Sequence, residues 1–143
     1  MIRVFLVDDQ TLVRQGVRSL LELADGIEVV AEASDGKQAV EQIPLVKPDV
    51  VLMDMRMPVM SGLDALQALS KANALPPTII LTTFDDDQLV LAGIKYGAKG
   101  YLLKDVSLDQ LVTAIQAVAT GGSLVQPAVT QRLLSGREGL NNE

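Results

Sequence analysis

Cysteine, histidine and tryptophan are all missing from this 143-residue chain. Without thiols there are no disulfides and no thiolate nucleophile. Without imidazole, the usual zinc ligands and the commonest general base are gone as well. Whatever chemistry exists must run on carboxylates, hydroxyls and amines. Basic charge is scarce too: 12 lysines and arginines stand against 18 acidic residues, for a net charge of −6. Contact with a phosphate backbone needs clustered cations, so this chain alone is not expected to bind nucleic acid. No apolar run approaches the ~20 residues of a membrane-spanning helix. The first strand-like run opens with no basic leader of the signal-peptide kind, so a soluble, cytoplasmic protein without a membrane partner is expected.

What is present is apolar and regularly alternating. Hydrophobic residues make up 48% of the chain, enough for one domain with a substantial core. Strand-like runs occur at IRVFLV (2–7), IEVVAE (27–32), DVVLM (49–53), TIILT (78–82) and GYLL (100–103). An amphipathic stretch follows each of them. After the first run, Leu12, Val13, Gly16, Val17, Leu20 and Leu21 are spaced as one helical face. After the second, Ser34 or Asp35 is placed to cap a helix; after the third, Leu63, Leu66 and Leu69 recur at intervals of three. The fourth helix is expected to close at Gly97. The fifth is capped by Ser107, turns Leu108, Leu111, Val112, Ile115 and Val118 inward, and stops at Gly121.

This alternation predicts an α/β fold with a doubly wound, five-stranded parallel sheet and helices on both faces. Continuous apolar strands are what burial on both faces requires. The chain therefore reads as one domain over 1–121, with an extension over 122–143 in which PAVTQRLL (127–134) is expected to form one more short helix.

Polar residues of particular kinds close four of the strands: Asp8 and Asp9, then Asp54, then Thr82 and Thr83, then Lys104. Singly, each has a plain structural reading as a cap, a strand-end threonine or a solvated charge. The triple acid Asp85, Asp86 and Asp87 reads in the same way, as the cap and first turn of the fourth helix. In the strand order 2-1-3-4-5, however, strands one and three meet at the topological switch point, and Asp8, Asp9 and Asp54 would converge there. Like charges ~4 Å apart repel by about 4 kcal/mol per pair at an effective dielectric of 20. A hard divalent cation, Mg²⁺ or Mn²⁺, relieves that repulsion and suits carboxylate, water and phosphate oxygens. Asp54 is then the candidate nucleophile for an aspartyl-phosphate, with Lys104 as a countercharge and Thr82 as a hydroxyl donor. Met53 reads as core, while Met55, Met57 and Met60 bracket the acceptor.

Asp8-Asp9, Asp54 followed by Met57-Pro58 and Gly62, Thr82, and Gly100-Tyr101 with Lys104, in that order, resemble the receiver domain of two-component response regulators, the CheY-like variant of the flavodoxin-like fold. The resemblance implies a phosphorylation-activated switch, not an enzyme, that takes a phosphoryl group from a sensor histidine kinase on Asp54. It implies Asp8, Asp9, Asp54 and the backbone carbonyl of Arg56 as metal ligands, Lys104 as the phosphate-contacting amine, Thr82 as the switch hydroxyl, and Tyr101 as the aromatic that changes rotamer, although a half-buried aromatic that merely anchors the fifth strand reads equally well at that position.

Three segments, IRVFLVDDQTLVRQGVRSLLE, LTTFDDDQLV and GAKGYLLKD, look like the NarL/LuxR-type transcription regulators. Those carry a helix-turn-helix DNA-binding domain after the receiver, for which the residues beyond Gly121 are too few. QPAVTQRLL resembles the start of the linker. The chain is accordingly either a fragment of a longer factor, the favoured reading, or a stand-alone receiver. On phosphorylation its fourth helix, fifth strand and fifth helix would change surface and the receiver would dimerise, by a face the sequence leaves open; it would reach DNA only through the absent output domain. Asp105 stands where many receivers have proline, so a trans bond is expected after Lys104. A phosphatase of the haloacid-dehalogenase type would want aspartate where Arg56 stands. A nucleotide- or flavin-binding module would want a glycine-rich loop after the first strand. Neither feature is present.

Overall fold

The structure is a computed structural model that describes residues 1–82, 87–122 and 124–125. Its elements follow in the order β1 (Ile2–Val7), α1 (Thr11–Glu22), β2 (Ile27–Ala33), α2 (Gly36–Val46), β3 (Val50–Asp54), α3 (Gly62–Lys71), β4 (Thr78–Thr82), α4 (Asp87–Lys95), β5 (Gly100–Leu103), α5 (Leu108–Ala119) and β6 (Leu124–Val125). All strand pairs are parallel, in the spatial order β2-β1-β3-β4-β5-β6. The expected order 2-1-3-4-5 is therefore observed, and β1 and β3 are neighbours, with Val7 opposite Met53. Thr83 and the acids Asp85 and Asp86 lie outside the described residues, as does the helix expected over 127–134.

Alternation along the strands sends successive side chains to opposite faces of the sheet. Phe5, Val7, Val51, Met53, Ile80, Tyr101 and Leu103 face one way and pack under α2, α3 and α4 through Ala39, Ile43, Ala65, Leu66, Leu69 and Val90. Val4, Leu6, Val50, Leu52, Ile79, Leu81 and Leu102 face the other way, onto Leu21 of α1 and Leu111, Ala114, Ile115 and Val118 of α5. β3, β4 and β5 are buried throughout, so their sequences carry no polar alternation, whereas the edge strand β2 is mostly half-buried and exposes Glu28. Among the described residues no helix is long and apolar enough to cross a membrane.

Local signals act where the sequence carries them. Asp35 caps α2 by accepting from the N–H of Gln38 at 2.9 Å, and Ser107 and Gln110 form a reciprocal capping box on α5. Gly97 takes a φ of 106° after α4. No cis peptide bond occurs among the described residues, the bond after Lys104 included.

Two features differ from the sequence reading. The chain does not leave the sheet at Gly121. With φ at 93°, Gly121 donates to the Val118 carbonyl at 3.1 Å and Gly122 to the Ala117 carbonyl at 2.9 Å. This Schellman turn reverses the chain, and Leu124–Val125 then pair with Gly100 and Tyr101 as a sixth edge strand. The inner face of α1 also differs. Leu12 is 84% exposed and Leu20 40%, whereas the inward stripe runs through Arg14, Val17 and Leu21. Those three positions follow the 3–4 residue helical repeat, and an arginine takes the end of the stripe nearest the C-terminal rim of the sheet.

Candidate functional site

The strands deliver the expected residues to one rim. Asp8 follows β1 and is fully buried; its N–H donates to Ala33 at 3.1 Å, tying it to the end of β2. Its Oδ1 accepts from the Gln10 N–H at 2.8 Å, while its Oδ2 is buried with no hydrogen-bond partner among the described residues. Asp54 ends β3, is 5% exposed, and places Oδ2 3.1 Å from the Lys104 ammonium. The same ammonium stands 3.8 Å from Asp8 Oδ2. Lys104 reaches this position because it directly follows β5, where its N–H donates to the Thr82 carbonyl at 2.9 Å. Asp9 is more exposed than Asp8 and Asp54, yet a carboxylate oxygen from each of the three lies within 4.8 Å of the others.

The loop after Asp54 is held by backbone contacts. The Arg56 N–H points back to Asp54 Oδ1 at 3.4 Å, and the Gly62 N–H donates to the Met55 carbonyl at 3.0 Å. A side chain at position 62 would start 2.1 Å from the Asp54 carbonyl oxygen, so only glycine lets α3 begin this close to the acceptor. Gly36, at the start of α2, donates to the Met60 carbonyl at 2.9 Å from the other side. Met55 is buried, while Met57 and Met60 are half-buried against the same core.

Burial pushes the carboxyl groups of both Asp8 and Asp54 above the ordinary carboxylate range. For Asp8 the Gln10 N–H and then Lys104 oppose that shift; for Asp54 Lys104 is the chief opponent, and the neighbouring Asp8 adds to the rise. The Lys104 ammonium thus faces Asp8 and Asp54, with the Asp9 carboxylate beside them. The donor set is all oxygen, it is crowded with like charge, and among the described residues it leaves one buried carboxylate oxygen, Asp8 Oδ2, without a hydrogen bond. Such a set fits a small hard divalent cation of the Mg²⁺ kind.

Thr82 closes β4 in a buried position beside Lys104. Tyr101 lies on β5 opposite Ile80 of β4. Its ring is already inside, 1% exposed, and its hydroxyl has no hydrogen-bond partner among the described residues. The ring packs toward Gly93 of α4, where a methyl group would stand 3.1 Å from the hydroxyl. The rim therefore assembles Asp8, Asp9, Asp54 and Lys104, with Thr82 beside them, while Tyr101 sits further along, under α4. One neighbour escaped the sequence reading: Arg14, whose Nη1 donates to the Asp8 carbonyl at 2.7 Å.

This geometry agrees with what known proteins resemble. A family model described as the response regulator receiver domain matches residues 4–116. The chain belongs to the response regulator receiver family. The nitrate/nitrite response regulator protein NarP of Escherichia coli (strain K12) is 47% identical over 131 residues, covering 92% of this chain and 61% of that protein. Among solved structures, the response regulator ChrA of a heme-sensing two-component system superposes with a TM-score of 0.80 at 42% identity, covering 94% of this receiver and 64% of that chain. A LuxR-family two-component response regulator from Aurantimonas sp. SI85-9A1 gives 0.88 at 32%, covering 96% and 98%. These relatives place the receiver among the NarL/LuxR-type response regulators. The chain spans about three-fifths of the length of the curated relatives it matches.

Proposed function

We propose that this receiver is a phosphorylation switch in which Asp54 accepts a phosphoryl group in the presence of Mg²⁺. The observation that carries the reading is the buried Asp54 carboxylate, set 3.1 Å from Lys104 and within 4.8 Å of two further carboxylates at the mouth of the sheet. An Asp54 oxygen attacks the phosphorus of the donor as the bond from phosphorus to the donor nitrogen breaks, or to oxygen in an acyl phosphate. The departing imidazole or carboxylate keeps the electron pair. Asp8, Asp9, Asp54 and the Arg56 carbonyl would hold the cation, which when bound neutralises the crowded acids and the incoming phosphate oxygens. Lys104 contacts the phosphoryl oxygens, and Thr82 donates a hydroxyl to one of them.

Because the phosphoryl group stays on the protein, the receiver is a stoichiometric acceptor with at most slow self-hydrolysis, and not an enzyme. Its donor is a sensor histidine kinase, and its compartment is the cytoplasm. The group adds roughly 1.5–2 negative charges beside Thr82, by analogy with phosphoserine. Drawing Thr82 toward that charge favours the inward Tyr101 and changes the surface of α4, β5 and α5. That surface would then self-associate and control a DNA-binding output domain joined through the segment after β6. Incubation with acetyl phosphate and Mg²⁺, followed by intact mass, tests the reading. It predicts one added phosphoryl group in the wild type and none in Asp54→Asn; an unlabelled wild type would refute it.

A further inference from the structure

Arg14 is a cation on the inward stripe of α1, where the helical repeat from Val17 and Leu21 calls for an apolar residue. Its side chain is only 18% exposed. Nε donates to Glu32 Oε1 at 3.1 Å, and Nη1 donates to the Asp8 carbonyl at 2.7 Å. Glu32 is fixed in turn: it lies in β2 opposite Leu6 of β1, and its other oxygen accepts from Arg18. A guanidinium is planar, so clamping Nε on a strand-borne carboxylate fixes the direction in which Nη1 points. The carbonyl it holds belongs to the peptide joining Asp8 to Asp9. That peptide is itself a rigid plane, so anchoring its oxygen sets how both carboxylates leave the backbone. The Gln10 N–H on Asp8 Oδ1 supplies the second restraint and leaves Oδ2 aimed at the site.

We propose that Arg14, clamped by Glu32, is a positioning residue that orients the Asp8–Asp9 peptide for divalent-cation binding. The proposal rests on the reading of the rim as a metal-assisted acceptor site. A rival account makes Arg14 a simple countercharge to the acids. The two accounts predict opposite signs. A bare positive charge near a cation site repels the cation, so removing it should tighten binding. Removing a brace should loosen it, even where the charge is kept. Loss of an outer partner of a metal ligand typically lowers metal affinity 10–100-fold.

Mn²⁺ titrations read by the electron paramagnetic resonance of the free ion separate the accounts, with circular dichroism confirming that each variant is folded. Arg14→Lys keeps the charge but cannot span both acceptors, and Arg14→Gln loses the charge as well. Bracing predicts that both bind Mn²⁺ about tenfold more weakly than the wild type. It also predicts that their acetyl phosphate labelling needs correspondingly more Mg²⁺. Wild-type affinity in Arg14→Lys, or tighter binding in Arg14→Gln, overturns the brace while leaving the acceptor site standing. A wild type that takes up no Mn²⁺ overturns the metal-assisted reading and the brace with it.

Discussion

One sheet separates two cores of different make. Under α1 and α5 every buried residue is aliphatic, from Val4 and Leu6 through Leu52 and Leu81 to Ile115 and Val118. Under α2, α3 and α4 the buried set includes Phe5, Met53, Met55 and Tyr101, with Met57 and Met60 packed beside it. Three glycines on that side, Gly36, Gly62 and Gly93, are approached so closely that an added methyl group would start within 3.0 Å of a neighbour. The buried Tyr101 hydroxyl is on this side as well. Branched aliphatic chains have few rotamers and interlock; thioethers and a lone buried hydroxyl tolerate rearrangement. The difference suggests a division of labour in which one face holds the sheet and the other is free to shift when the rim changes charge.

Ile115→Ala puts the largest expected effect on the holding face. Its side chain is fully buried among Leu52, Leu81 and Val118, and truncation should cost about 2–5 kcal/mol in denaturant unfolding. The folded fraction should still take one phosphoryl group, because no residue of the acceptor rim is touched. Loss of labelling by a folded Ile115→Ala protein would break the division of labour.

The rim itself should show a smaller effect with a pH signature. Burial raises the Asp8 and Asp54 carboxyls in the folded state. The folded chain therefore binds more protons than the unfolded chain over the window between the unfolded value and the raised one. Stability from these groups is fully present below the unfolded pKa and is lost as pH rises through the folded one. Without metal, the urea midpoint should therefore fall as pH rises above the ordinary carboxylate range, through these two groups. Asp8→Asn should flatten that fall and gain about 1–2 kcal/mol at neutral pH, and Mg²⁺ should recover part of the same gain in the wild type. An Asp8→Asn protein no more stable than wild type at pH 7 would show that the acids are already compensated.

Much of this was legible in the sequence, because the signals were either strictly periodic or chemically specific. Two-sided burial made the β1, β3 and β4 runs continuous, and Asp8, Asp54, Thr82 and Lys104 each stand at a strand end, where the topology carries them to one rim. What escaped notice depended on which way a helix turns. Leu12 and Leu20 look inward by spacing, but α1 turns so that Arg14 does. An arginine six residues past a buried aspartate gives no sign of gripping that residue's carbonyl. The glycine pair 121–122 reads as a stop, and only its backbone bonds reveal that it sends the chain back to pair with β5. For Tyr101, the sequence left open an anchor and a switch; the buried ring and unpartnered hydroxyl carry features of both.

Tyr101→Phe puts the smallest effect on the shifting face and tests it most directly. The ring is enclosed, and burial pushes its hydroxyl up, far from any ionised form. No partner among the described residues offsets the desolvation of that oxygen. Leaving a buried polar group unsatisfied costs about 1–3 kcal/mol, and phenylalanine removes the oxygen while keeping nearly all the packing. The substitution should therefore be neutral or stabilising, by up to about 1 kcal/mol in urea unfolding. The ring already lies inward beside Gly93 of α4, so the gain would go to the inward arrangement. The unlabelled variant should then self-associate more readily than wild type, and phosphorylation should add less. A clear loss of stability in Tyr101→Phe would mean that the hydroxyl is bonded in the native protein, and the two faces would then be equally committed to a single packing.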